Sequence, residues 1–151
     1  MELIIIRGRQ NDGKTTTATM LHNELVARSN AVRLLKTNGD YLPVGIEVRD
    51  FRSVIDIKEK RIAIISAGDV DDILNEEMEE LIYEYRPDII VVCARAQDRE
   101  GSAYRMLKEN YADLIKEENE FWTEWMDNPS DAITTKQKVV ERIVTRIMNI
   151  K

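Results

Sequence analysis

The sequence predicts an α/β domain of three layers, in which a mostly parallel sheet of about five strands is flanked by helices. Three observations carry that expectation. Short apolar runs at 3–6, 62–65 and 88–94 have the length and continuity of buried core strands, and 31–35 is a further strand candidate. Longer stretches between and after them repeat their apolar residues at helical spacing. The first apolar run leads through a glycine-containing turn directly into the first helical stretch. Strands alternating with helices build a sheet covered on both sides.

The composition fits one domain over residues 1–151. Hydrophobic residues make up 43% and charged residues 33%, as in a globular chain able to bury a core. No apolar run approaches the roughly 18 residues of a membrane span. The start of the chain lacks the basic region and small-residue cleavage site of a signal peptide, so a cytoplasmic location is expected. The net charge is −6, which disfavours broad nucleic-acid binding, a process driven by phosphate neutralisation. Cys93 is the single cysteine and lies within an apolar run, where packing is its expected role.

In chain order, residues 3–6 form the first strand. The helix that follows runs to about residue 29 and sets Ala18, Leu21 and Leu25 on one side. His22, the single histidine, is expected at the surface or partly packed, with no catalytic role. Residues 31–35 form a second strand and open into a loop with turn chemistry at Asn38, Gly39 and Asp40. Residues 53–57 and 61–66 flank Lys58, Glu59 and Lys60 as the arms of a hairpin. Residues 71–86 suit a helix with Leu74, Met78, Leu81, Ile82 and Tyr85 as its stripe, stopped by Pro87. The strand at 88–94 and a helix at 102–110 come next. A short last strand is expected at 113–116. Phe121, Trp122, Trp125 and Met126 are expected to pack the C-terminal segment on the sheet. The last helix is expected from about 135 to 149.

The turn after the first strand reads Gly8-Arg9-Gln10-Asn11-Asp12-Gly13-Lys14-Thr15, which satisfies G-x-x-x-x-G-K-[ST] at every fixed position. Glycines at both ends let consecutive backbone N–H groups wrap around an anion, and the helix start adds positive potential. On this Walker A motif the chain resembles the P-loop NTPases. The resemblance implies their three-layer fold and a bound nucleoside triphosphate with Mg²⁺. Gly8, Asn11, Asp12, Gly13, Lys14, Thr15 and Thr16 would surround the phosphates. Lys14 would reach the β and γ phosphates, and the Thr15 hydroxyl would hold Mg²⁺.

Other candidate residues follow from the same resemblance. In P-loop folds the strand beside the loop strand ends in an acid that holds the metal. The strand at 62–65 is followed by Ser66 at that position, and the nearest acid is Asp69, which is equally suited to capping the next helix. Asp40, next to Tyr41, is similar to the acceptor-activating aspartate of small P-loop kinases, and is also an ordinary turn residue. The strand at 88–94 is expected on the other side of the loop strand, opening onto the nucleotide crevice. Its following residues, Arg95-Ala96-Gln97-Asp98, lack the N-K-x-D of small GTPases, so ATP is expected over GTP. Arg95 and Arg99 are candidates for closing on the γ-phosphate, or are solvated arginines.

The expected function is therefore Mg²⁺-dependent ATP binding with transfer of the γ-phosphate to water or a small acceptor. Asp40 would be the base in the kinase case. The alternative is a nucleotide-dependent switch or binding module, for ATP or GTP and a protein partner, with little turnover and a responsive loop at 37–52.

Overall fold

A strand at the centre of a sheet must be apolar on both sides, and β1 (Glu2–Gly8) meets that demand in four consecutive residues. Ile4 and Ile6 face one layer of the core, and Leu3 and Ile5 face the other. β5 (Ile89–Arg95) repeats the pattern, with Ile89, Val91 and Cys93 on the first side and Ile90, Val92 and Ala94 on the second. The structure, a computed structural model, describes residues 1–8, 13–35, 51–66, 71–95, 101–123 and 126–150.

Four more strands complete a six-stranded sheet: β2 (Ala31–Leu35), β3 (Arg52–Ile57), β4 (Lys60–Ile65) and β6 (Glu120–Trp122). Their spatial order is β2-β3-β4-β5-β1-β6. The sheet is mixed rather than mostly parallel. β4, β5, β1 and β6 pair in parallel, whereas β3 runs antiparallel to both β2 and β4. The cause is the hairpin: Lys58 and Glu59 close it, with Lys58 at φ 53 and its N–H donated to Asn30 Oδ1 at 2.7 Å. β3 thereby enters the sheet between β2 and β4.

Helices cover both faces. α1 (Lys14–Val26) and α4 (Pro129–Asn149) share one core with Ile4, Ile6, Ile64 and Val91. α2 (Asp71–Tyr85) and α3 (Ala103–Asn110) close the opposite face over Leu3, Ile5, Ile65 and Val92. Ser102 caps α3 by accepting the Arg105 N–H at 3.1 Å. α4 starts earlier than its apolar stripe suggests, because Asn128 accepts the Ser130 N–H at 2.9 Å and Pro129 occupies the first turn. At its other end Lys60 donates to the Ile147 and Met148 carbonyls at 3.0 and 3.3 Å. No described helix is long and apolar enough to cross a membrane.

Three further sequence expectations change. Residues 112–114 form a 3₁₀ turn, and the last strand is β6, beyond the expected 113–116. β6 is held against β1 by side chains: Asn119 and Lys116 both donate to the Glu2 carboxylate, at 2.8 and 2.9 Å, and Arg146 of α4 donates to Asn119 at 2.7 Å. β5 lies on the same side of β1 as β4 rather than on the opposite side, and β6 takes the place expected for it. Finally, His22 is 1% exposed rather than superficial. Its Nδ1 is 2.9 Å from Ser53 Oγ and its ring meets Phe51 edge-on at 5.2 Å. Its buried Nε2 has no hydrogen-bond partner among the described residues.

Burial of that ring lowers the His22 pKa from 6.5 to about 4. The unfolded chain therefore binds a proton that the folded chain refuses. The stabilisation is complete above pH 6.5 and is lost as the pH falls towards 4, to a total of at most about 3 kcal/mol. Urea unfolding followed from pH 7.5 down to about 4.5 should show this loss, and His22→Gln should flatten it. An unchanged slope in the variant would assign the acid sensitivity elsewhere.

Candidate phosphate-binding site

The loop after β1 is anchored by its two glycines. Gly8 is the last residue of β1, is buried, and is in register with Arg95, the last residue of β5. At the far end Gly13 stands at φ 85, ψ 28, in the left-handed region that an L side chain rarely enters, and α1 begins at the next residue. Gly13 holds the N-cap position, so no side chain caps α1 there, and the first turn carries no acid. The start of a helix carries positive potential from its aligned peptide dipoles.

The threonines of the first turns divide into two pairs. The Thr17 hydroxyl donates to the Gly13 carbonyl at 2.9 Å, as does the Thr17 N–H, and the Thr19 hydroxyl donates to the Thr15 carbonyl at 2.8 Å. Both hydroxyls are thus turned back onto the helix. Thr15 and Thr16 remain half-exposed beside Lys14 and Gly13. From below, the buried Cys93 thiol donates to the Lys14 carbonyl at 3.6 Å, so β5 supports the first turn of α1.

The connections diverge at this edge of the sheet. From β1 the chain leaves into α1 on one face of the sheet, and from the adjacent β5 it proceeds to α3 on the other. The carboxyl ends of β1 and β5 therefore flank a point where the connections diverge, the usual ligand position in open α/β sheets.

The strand end before the loop is clamped by Arg7. Its guanidinium carbon lies 3.6 Å from the Tyr104 ring centre and 4.4 Å from the Trp122 ring, and Nη1 is 3.7 Å from Glu120 Oε1. Tyr104 donates its hydroxyl proton to the same carboxylate. The Arg7 carbonyl accepts the Thr123 N–H at 2.8 Å. Residues of α3 and β6, with Thr123 just past β6, thus fix the residue preceding Gly8. Sequence reasoning passed over Arg7, although a charged residue inside an apolar strand end is a visible signal. It also passed over Lys136 of α4, whose side chain packs on Gly13, and no local pattern could have marked that contact.

Gly13, Lys14, Thr15 and Thr16 follow one another at the start of α1, and Gly8 ends β1 with the backbone of Arg95 opposite it. Asn11, Asp12, Asp40, Asp69 and Arg99 lie outside the described residues. β4, whose end precedes Asp69, is not adjacent to β1, because β5 intervenes. Ser66, just past β4, is engaged in closing the sheet: its Oγ accepts the Phe51 N–H at 2.6 Å, and its own N–H reaches the Phe51 carbonyl at 3.0 Å. Among the described residues no cluster of three or more His, Cys, Asp or Glu forms a metal site. No family model, curated protein or solved structure matches this chain.

Gly13 and Gly101 provide a matched comparison. Both have positive φ, 85 and 82, so alanine strains either by about 1–2 kcal/mol. A Cβ at Gly101 would meet open space, whereas one at Gly13 would lie 2.2 Å from Lys136 Cε. Lys136 Cε lies near the end of a flexible side chain that can swing away, so Gly13→Ala and Gly101→Ala should lower the urea midpoint by similar amounts. A clearly larger loss at Gly13 would mean that Lys136 is held in place.

Proposed function

We propose that this chain is a P-loop nucleotide-binding protein of three-layer fold that takes ATP with Mg²⁺ and transfers the γ-phosphate to water or to a small acceptor. One observation carries the reading. The sequence G-x-x-x-x-G-K-T lies at a strand-to-helix junction on the carboxyl edge of parallel strands, with its second glycine in the left-handed conformation the turn requires. Gly8, Asn11, Asp12, Gly13, Lys14, Thr15 and Thr16 form the phosphate site. Lys14 neutralises charge on the β and γ phosphates, where it builds up during transfer.

The residues present suit the metal as well. Thr15 offers a hydroxyl oxygen of the kind Mg²⁺ takes, half-exposed on the first turn of α1. Asp69 is the second candidate ligand. When bound, Mg²⁺ draws charge from the phosphate oxygens. Asp40 is the base if the acceptor is a hydroxyl, and Arg95 and Arg99 close over the γ-phosphate.

Calorimetric titration with ATP and with GTP, each with and without Mg²⁺, tests the reading. ATP should bind more tightly with Mg²⁺ than without it. Lys14→Ala should weaken binding by about 10- to 100-fold, the weight of one or two charge-assisted hydrogen bonds. Thr15→Ala should remove the Mg²⁺ dependence and leave metal-free binding in place. Preferential GTP binding would overturn the choice of ATP.

A further inference from the structure

Lys136 lies about two turns into α4, far from the loop in sequence. In space it rests on the second loop glycine. A Cβ built on Gly13 would be 2.2 Å from Lys136 Cε, 3.0 Å from its Nζ and 3.5 Å from its Cδ. A side chain on residue 13 would have to push Lys136 out of this position. The ammonium is delivered to the start of α1, one residue from Lys14.

Two features of this placement call for a ligand. The chain carries 28 acidic residues against 22 basic ones, so carboxylates to pair with a lysine are plentiful. Yet half-buried Lys136 makes no hydrogen bond or ion pair with any described residue, and the first turn of α1 contains no acid. A lysine side chain is held against the residue that opens α1, at the positive end of that helix, where an anion is favoured. The placement is also braced. α4 is packed on α1 through Val139, Val140, Ile143 and Val144 against Ala18, Leu21 and Leu25. Its N-terminus is capped by Asn128.

We propose that Lys136 is a second phosphate-contacting cation of the site, supplied by α4, and that it couples α4 to the presence of a polyphosphate chain. The proposal rests on the reading of the glycine loop as a phosphate site and adds a ligand that lies outside the G-x-x-x-x-G-K-T sequence. Lys14 approaches the phosphates from within the loop, and Lys136 approaches across Gly13 from the last helix. Binding of the anion adds a charged link between two elements packed through apolar residues.

Lys136→Met tests it, because methionine keeps an aliphatic stem against Gly13 and removes the charge. Lys136→Arg restores the charge. The probes are MgATP, MgGTP and inorganic tripolyphosphate, titrated by calorimetry, with hydrogen exchange across residues 129–138. The Met variant should unfold at the wild-type urea midpoint and bind MgATP at least about tenfold more weakly, with Arg recovering most of the loss. Ligand should slow exchange at 129–138 in the wild type and not in the Met variant. Wild-type affinity in Lys136→Met, with binding lost in Lys14→Ala, would overturn the role of Lys136 and leave the nucleotide reading intact. Lys136-dependent binding of tripolyphosphate, with neither nucleotide bound, would sustain Lys136 as an oxyanion ligand and overturn the nucleotide reading. Binding of none of the three probes would overturn both.

Discussion

At Gly13 the chain turns from the carboxyl edge of the sheet into α1 through a left-handed residue. Much of the candidate site depends on that turn. It places the first turn of α1 at that edge, it leaves the N-cap without a side chain, and it keeps open the space that Lys136 fills. A side chain at this position would introduce backbone strain and would displace a cation at the same time. The Thr17 N–H and hydroxyl both close on the Gly13 carbonyl, so the turn is tied into the helix it starts.

Such a turn is useful only if its supports do not move. β1 lies between β5 and β6, is buried on both faces, and its end is pinned by Arg7 between two aromatic rings and a carboxylate. Cation–π contacts of this kind contribute on the order of 0.5–2 kcal/mol, more when shielded from water. Their larger effect here is geometric, because they set the point from which the loop departs. Cys93 performs a comparable task from β5, meeting the Lys14 carbonyl beneath the helix start. Preorganised N–H groups and cations bind phosphate well because little reorganisation is required when the anion arrives.

The charge distribution runs against the average of the molecule. A chain with a net charge of −6 places Lys14, Lys136 and the start of α1 at one junction, with no acid in the first turn of α1. A potential of one sign concentrated in a crevice draws an oppositely charged ligand, and the acidic remainder discourages long nucleic-acid polyanions.

The sequence alone determined the alternation of strands and helices, the two-sided burial of β1 and β5, the hairpin at Lys58 and Glu59, and the place of the glycine loop. These are properties of periodicity and turn chemistry, which act over a few neighbouring residues. Gly8, Gly13, Lys14, Thr15 and Thr16 were legible as one group for the same reason. Strand order was not, since which strand β5 adjoins depends on the crossovers and on competition for the edge of β1, which β6 occupies through Glu2, Asn119 and Lys116. Only the tertiary structure decided that β3 makes the sheet mixed, that His22 is buried against Ser53 and Phe51, that Arg7 is clamped at the end of β1, and that Lys136 rests on Gly13. Each of these is a contact between residues distant along the chain, made when the packed elements meet, and no local pattern encodes it.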